Sequence, residues 1–155
     1  MKVYFDSSAL VAVYVTEAHS ERARRKLRRQ GAVPWTPLHD VEVSNALRLL
    51  RGRGQIDDTE LEGLLGHVAE DLQKGRLAPP AIDLGGVFRR AATLSEKHAS
   101  GTLARTLDIL HVAAALEIGS KTVVSGDGRQ IALANLAGLR TFDIRGQSGA
   151  KASAR

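Results

Sequence analysis

Two hydrophobic periods run along the chain. Short β-rich runs bounded by turn residues predict strands: KVYFD at Lys2–Asp6, Ala32–Trp35 stopped by Pro34 and Pro37, TVVS at Thr122–Ser125, and Leu139–Phe142. APPAID at Ala78–Asp83 reads as a loop with a short strand. Between them the apolar spacing becomes helical. Ser7–Val15 predicts a helix with Ser7 or Ser8 near its cap, and Ser20–Gln30 one that ends at Gly31. His39–Arg51 carries Val43, Ala46, Leu47 and Leu50 on one side. Asp57–Lys74 starts on Asp57 or Asp58, with Glu60 and Glu62 in its first turn. Leu84–Ala99 is broken by Ser100–Gly101. Leu107–Ile118 is capped by Thr106 and closed by Gly119. Gly126–Asp127–Gly128 is a tight turn before a helix over Arg129–Ala137, which ends at Gly138. Strands and helices in near alternation, with strands short and apolar throughout, predict a parallel sheet covered on both faces. No internal repeat interrupts this pattern. It stops near residue 145, and GQSGAKASAR at 146–155 reads as a frayed, flexible tail.

Composition narrows the class. The 155 residues are 43% hydrophobic and 25% charged, as in an ordinary soluble domain that can bury a core without staples. Absence of cysteine removes disulfide scaffolds, thiol nucleophiles and cysteine zinc sites, and it suits a reducing cytoplasm. No apolar run reaches the length of a membrane span, and the first residues, with Asp6 in their midst, lack the parts of a secretion signal. At 4% aromatic, the chain has too few rings for a base-stacking platform.

Charge adds a partner class. There are 22 Lys and Arg against 17 Asp and Glu, a net +5, with an arginine-dense stretch at Ser20–Gln30. Either that stretch is a solvated helix face or it meets phosphates.

Four acids stand at element boundaries. In an open parallel sheet, ligands bind beyond the carboxyl ends of the strands. Asp6 ends the first strand and Asp127 follows TVVS. Asp108 is in the first turn of the helix before that strand, and Glu42 lies early in the helix after Trp35. Glu42 and Asn45 are three apart and share a helix face, as do Asp108 and His111. Ser7 and Ser125 set hydroxyls beside two of the acids. Taken singly, each acid is a cap, a turn residue or a solvent-facing side chain, and His111 a hydrogen-bonded helix residue. Taken together, they would repel: two unit charges 4 Å apart cost about 4 kcal/mol at an effective dielectric of 20. Either one acid takes a proton, or a divalent cation sits among them. Oxygen donors without cysteine favour Mg2+ or Mn2+ over zinc. With these four set aside, 22 cations face 13 acids, so the rest of the molecule carries +9. An acidic pocket in a basic body suits a metal-dependent enzyme acting on a polyanion.

VYFDSSALV, DVEVSNAL, RTLDILHVAAALEIG and VVSGDGRQIALANLAGL together resemble a PIN domain of the VapC type, the toxin ribonucleases of type II toxin–antitoxin pairs. The resemblance runs from about residue 2 to 143, and places the domain at 1–145. It implies an α/β/α sandwich around a five-stranded, mostly parallel sheet. It implies that Asp6, Glu42, Asp108 and Asp127 bind Mg2+ (or Mn2+) and carry catalysis, with endonucleolytic cleavage of RNA as the activity. It further implies a homodimer and a VapB-like antitoxin that enters the active-site groove. Ser7 and Ser125 stand where the family often has Thr, and both keep the hydroxyl.

On that basis Asp6 and Asp108 hold the ion directly, and Glu42 and Asp127 hold it directly or through water. Asn45, Ser7 and Ser125 aim the carboxylates. Arg22, Arg25, Arg48, Arg51 and Arg105 are candidates to hold phosphates, with Arg105 placed to pair with Asp108 instead. Two other readings compete: a housekeeping PIN nuclease of RNA processing, and a non-catalytic basic RNA-binding module. Phosphotransfer on Asp6 is disfavoured, because the acid such enzymes carry two residues on is Ser8 here.

Overall fold

The structure, a computed structural model, describes residues 1–146. Its elements are β1 (Val3–Phe5), α1 (Ser7–Tyr14), α2 (Ser20–Arg28), β2 (Val33–Pro34), α3 (Pro37–Gly52), α4 (Asp58–Gln73) and β3 (Leu77–Ala78). Then come α5 (Leu84–Thr102), α6 (Thr106–Glu117), β4 (Thr122–Ser125), α7 (Gly128–Leu136) and β5 (Arg140–Asp143). All strand pairs are parallel. β4 lies between β1 and β5, with Tyr4 beside Val123 and Phe5 beside Val124.

Alternation along β1 and β4 builds the two cores. Tyr4 and Val123 face one way, into a cluster with Val87, Leu110, Val112 and Leu133 from α5, α6 and α7. Phe5 and Val124 face the other way, against Leu10, Val43, Leu47 and Val68 from α1, α3 and α4. The result is the expected three-layer α/β/α sandwich.

The expected five-stranded sheet is present as two ladders, β1-β4-β5 and β2-β3. β2 runs beside β1 but does not bond to it. Chemistry explains the gap. The amides of Val33 and Trp35 donate to the Arg76 and Ala78 carbonyls, toward β3. Pro34, between them, has no N–H to offer the other side. The Phe5 carbonyl accepts instead from His39 Nε2 of α3 at 2.9 Å. An imidazole from a helix thus replaces a strand partner. Burial drives His39 down to about 3, so the ring is neutral; Nδ1 accepts the Thr36 amide at 2.9 Å while Nε2–H serves Phe5.

Several boundaries differ from the sequence reading. Asp6, not Ser7 or Ser8, caps α1: its Oδ1 accepts from the Ala9 amide. α3 starts two residues early at Pro37, because Thr36 and His39 form a capping box. Asp57 caps α4 as expected, with Glu60 reaching back to it. α5 does not break at Ser100–Gly101 but runs to Thr102, whose hydroxyl donates to the His98 carbonyl, and stops at Leu103 in the left-handed conformation (φ 57°). α6 is capped at Arg105 rather than Thr106. Gly146 opens the predicted tail; the rest of it, 147–155, lies outside the described residues.

Candidate active site

The carboxyl ends of β1 and β4 adjoin, and the chain leaves each into a helix. Asp6 caps α1 and Asp127 caps α7, so both acids stand at positive helix ends at the same rim of the sheet. Asp108 is the third residue of α6, and its Oδ2 accepts the Arg105 amide at 2.8 Å. Glu42 comes from the middle of α3.

Hydrogen bonds join Asp6, Asp127 and Asp108, and tie Glu42 to Ser7, the residue after Asp6. Asp6 Oδ1 accepts from the Ser8 hydroxyl (2.7 Å) and the Ala9 amide (2.8 Å), and Oδ2 accepts from the Ser125 hydroxyl (2.6 Å). Ser125, fully buried, also accepts the Asp127 amide at 2.9 Å, so one hydroxyl joins two of the acids. Asp127 Oδ1 accepts from the Arg129 amide at 2.8 Å. The Arg105 guanidinium reaches Asp108 through Nε and Asp127 through Nη2, each at 3.4 Å. On the other side the Ser7 hydroxyl donates to Glu42 Oε2 at 2.9 Å, and His111 Nε2 contacts the same oxygen. Tyr4 OH meets His111 Nδ1 at 2.7 Å.

Burial sets the charges. Asp6 is 2% exposed, and burial raises its carboxyl, with His111, Ser125, Ala9 and Ser8 pulling the other way without prevailing. For Glu42, burial also pushes up. Here the hydrogen bond and charge of His111, the Ser7 hydroxyl and the charge of Arg105 prevail, and the net direction is down. Burial likewise raises Tyr4, which stays a neutral phenol.

The donor set fits a hard divalent cation in kind: carboxylates, hydroxyls, and a buried acid whose own partners do not compensate its charge. As they stand, no three Asp, Glu or His side chains among the described residues close into a metal-holding group. Arg105 supplies positive charge between Asp108 and Asp127.

The other sequence candidates divide. Ser7 and Ser125 bond to Glu42 and Asp6. Asn45 shares an apolar groove with Glu42, Leu49 and Leu107, and no hydrogen bond joins it to the four acids. Arg51, at the end of α3, pairs with Asp58 at the start of α4 at 2.6 Å and bonds to none of the four acids. Arg48 is exposed on α3. Arg22 and Arg25 sit on α2, with Phe142. Three residues outside the candidate set belong to the cluster, the first being Ser8, whose hydroxyl donates to Asp6. His111 holds Glu42, and Tyr4 backs His111. The i, i+3 spacing of Asp108 and His111 is the available signal for His111; nothing local announces Tyr4.

This arrangement, acids at the strand ends of a parallel sheet between two helical layers, defines a PIN domain, and the PIN-domain family model matches residues 3–136. The chain belongs to that family, among its VapC-type members. Ribonuclease VapC3 of Pyrobaculum aerophilum is 31% identical over 121 residues, covering 78% of this chain and 86% of its own. Among solved structures, FitAcB from Neisseria gonorrhoeae aligns over 94% of this chain and 99% of its own, with a TM-score of 0.66 at 15% identity. FitAB bound to an IR36 DNA fragment aligns over 96% and 99%, with a TM-score of 0.68 at 16% identity. These two share the fold.

Proposed function

We propose that this protein is a VapC-like toxin endoribonuclease that hydrolyses RNA phosphodiester bonds with Mg2+ or Mn2+ and is held in check by a VapB-like antitoxin. The observation that carries the proposal is the bonded run of Asp6, Asp127 and Asp108 through Ser125 and Arg105, with Glu42 held by Ser7 and His111. In this reading the four carboxylates would hold the ion, with Ser7 orienting Glu42 and Ser125 orienting Asp6. The ion, when bound, supplies Lewis-acid activation of the phosphodiester and of water. Glu42, kept ionised by His111 and Ser7 against its burial, is placed to orient a water and accept its proton. Asp127 is the alternative acceptor. Arg105, two-thirds exposed, turns from the acids to a phosphate when substrate arrives. The products are a 3′-hydroxyl and a 5′-phosphate.

The named relative is a ribonuclease, and the FitAB neighbour is seen bound to a DNA fragment. Both suit a ribonuclease toxin with a DNA-bound antitoxin; a homodimer in the cytoplasm is the rest of the proposal. No helix among the described residues is long and apolar enough to cross a membrane.

The test is cleavage of total bacterial RNA by antitoxin-free protein with Mn2+ or Mg2+, with EDTA, and with the double variant Asp6→Asn, Asp108→Asn. Discrete fragments carrying 5′-phosphates, which need metal and vanish in the variant, are expected. Neither metal binding nor cleavage would sink the enzyme and leave a basic binding module.

A further inference from the structure

Helix α2 divides its cations. Arg28 pairs with Glu21 at 2.9 Å, and Arg24 donates to the Val13 and Val15 carbonyls at the end of α1. Arg22, Arg25, Lys26 and Arg29 recur at helical spacing on one face. With Phe142 of β5 they line one open groove of about 290 Å3. Among the described residues, none of these four forms a salt bridge. The Arg22 guanidinium and the Lys26 ammonium each lie 4.7 Å from the centre of the Phe142 ring. Arg22 Nε also donates to the Asp143 carbonyl at 3.0 Å. That fixes the groove at the carboxyl end of β5, the strand beside Ser125.

Like charges one helical turn apart repel, so folding alone does not favour this grouping. The Asp143 carboxylate, the acid closest at hand, is already held by Arg145 at 2.8 Å. Arg145 in turn lies against Gly128 at the start of α7, where Asp127 caps the helix. The Asp143–Arg145 ion pair therefore joins the α2 face to the rim that carries the acidic cluster.

We propose, resting on the nuclease reading above, that this face is a second contact surface for the RNA substrate, which grips its phosphate backbone beyond the bond that is cut. A polyanionic strand fits better than an acidic protein. The one ring on this face is already covered by Arg22 and Lys26, so it offers no open apolar anchor, and among the described residues none of the four cations is salt-bridged.

The test is fluorescence anisotropy with a labelled single-stranded RNA in EDTA, where binding is read without cleavage. Wild type is compared with Arg25→Gln, Lys26→Gln, Arg29→Gln. The control is Lys2→Gln, Lys121→Gln, Arg140→Gln, which removes the same charge from exposed positions at the opposite end of the sheet. The α2 triple variant should bind on the order of tenfold or more weakly. Its salt slope should flatten by about 2, at roughly 0.7 for each single-strand phosphate that is no longer neutralised. The control should stay near wild type. Arg25→Gln alone, at an exposed position, keeps the comparison open should the triple variant melt early.

Equal loss in both triples, or unchanged RNA affinity in the α2 variant, overturns the proposal. So does unchanged RNA affinity joined to lost binding of a purified antitoxin, which would assign the face to protein. RNA binding that depends on α2, in a protein that never cuts with Mn2+, would uphold this surface while refuting the nuclease.

Discussion

Replacing Asp6 by Asn should make the metal-free protein more stable and the metal-loaded protein less so. Asp6 is buried, and burial raises its carboxyl above its ordinary value despite three hydrogen bonds of 2.6–2.8 Å. A group raised on folding stabilises only while protonated. Its contribution is full below its unfolded value, about 3.9, and is lost as pH rises through the folded value. As pH rises above that unfolded value, burial of the Asp6 carboxyl therefore becomes a growing cost. Asn keeps the Oδ1 that accepts from Ser8 and Ala9. Its amide meets Ser125, whose hydroxyl must stop donating, a loss of about 1 kcal/mol. Against that, several kcal/mol of ion desolvation disappear. The net is a gain on the order of 1 kcal/mol, or roughly 2–4 °C in Tm for a domain of this size.

The assay is a melt of both proteins from pH 3 to 8 in EDTA, then in saturating Mn2+. In EDTA the variant should lead at pH 8, and the lead should close toward pH 3. A ligand at a hundred times its Kd adds about 2.7 kcal/mol, so Mn2+ should raise the wild type past the variant. A variant less stable than wild type by a constant amount at every pH would refute the reasoning, because burial of the charge would then not be what sets the balance at Asp6.

Other expectations follow from the same cluster. Ser125→Ala removes a donor to Asp6 and the acceptor of the Asp127 amide at a fully buried position, and should cost roughly 1–3 kcal/mol in urea unfolding. His111→Leu leaves the burial of Glu42 unopposed by its main partner. A lowered carboxyl stabilises above its unfolded value and loses that as pH falls through the folded one, so the acid limb of the Tm profile should move to higher pH in the variant. Arg105→Ala should change metal-free stability by under about 1 kcal/mol, since its contacts are long and the side chain two-thirds exposed. It should also enlarge the Mn2+-induced rise in Tm by removing a competing cation; a smaller rise would count against Arg105 as that competitor.

What is legible in the sequence is local. Asp6 and Asp127 end apolar strands, and Asp108 opens a helix, so element boundaries alone bring them to one rim. What stays hidden depends on partners far apart in the chain. Tyr4 meets His111 across 107 positions, and His39 replaces a strand partner for Phe5 across 34. Pro34 reads as the end of a strand; its effect is to leave the β1 side of β2 without a donor. Ser100–Gly101 has the composition of a break, yet Thr102 bonds back to His98 and the helix runs through. The arginines of α2 are visible as a basic run. Which of them face a polyanion is not, because Phe142, Asp143 and Glu21 sort them.

Capping geometry offsets part of the repulsion among the clustered acids. Three of them each give one oxygen to a helix start: Asp6 to the Ala9 amide, Asp127 to the Arg129 amide, and Asp108 to the Arg105 amide. Each helix end carries about half a positive charge, so α1, α6 and α7 offset part of the repulsion, although at Asp6 burial still outweighs that help. The same bonds fix these side chains, so their positions are set by the backbone and need no ligand to organise them. Glu42 has no such support, since it lies well inside α3 where every amide is already bonded. It is the acid that meets a histidine, and His111 is held in place for it by Tyr4. Loss of His111 should therefore disturb Glu42 and leave the other three acids where their helices put them.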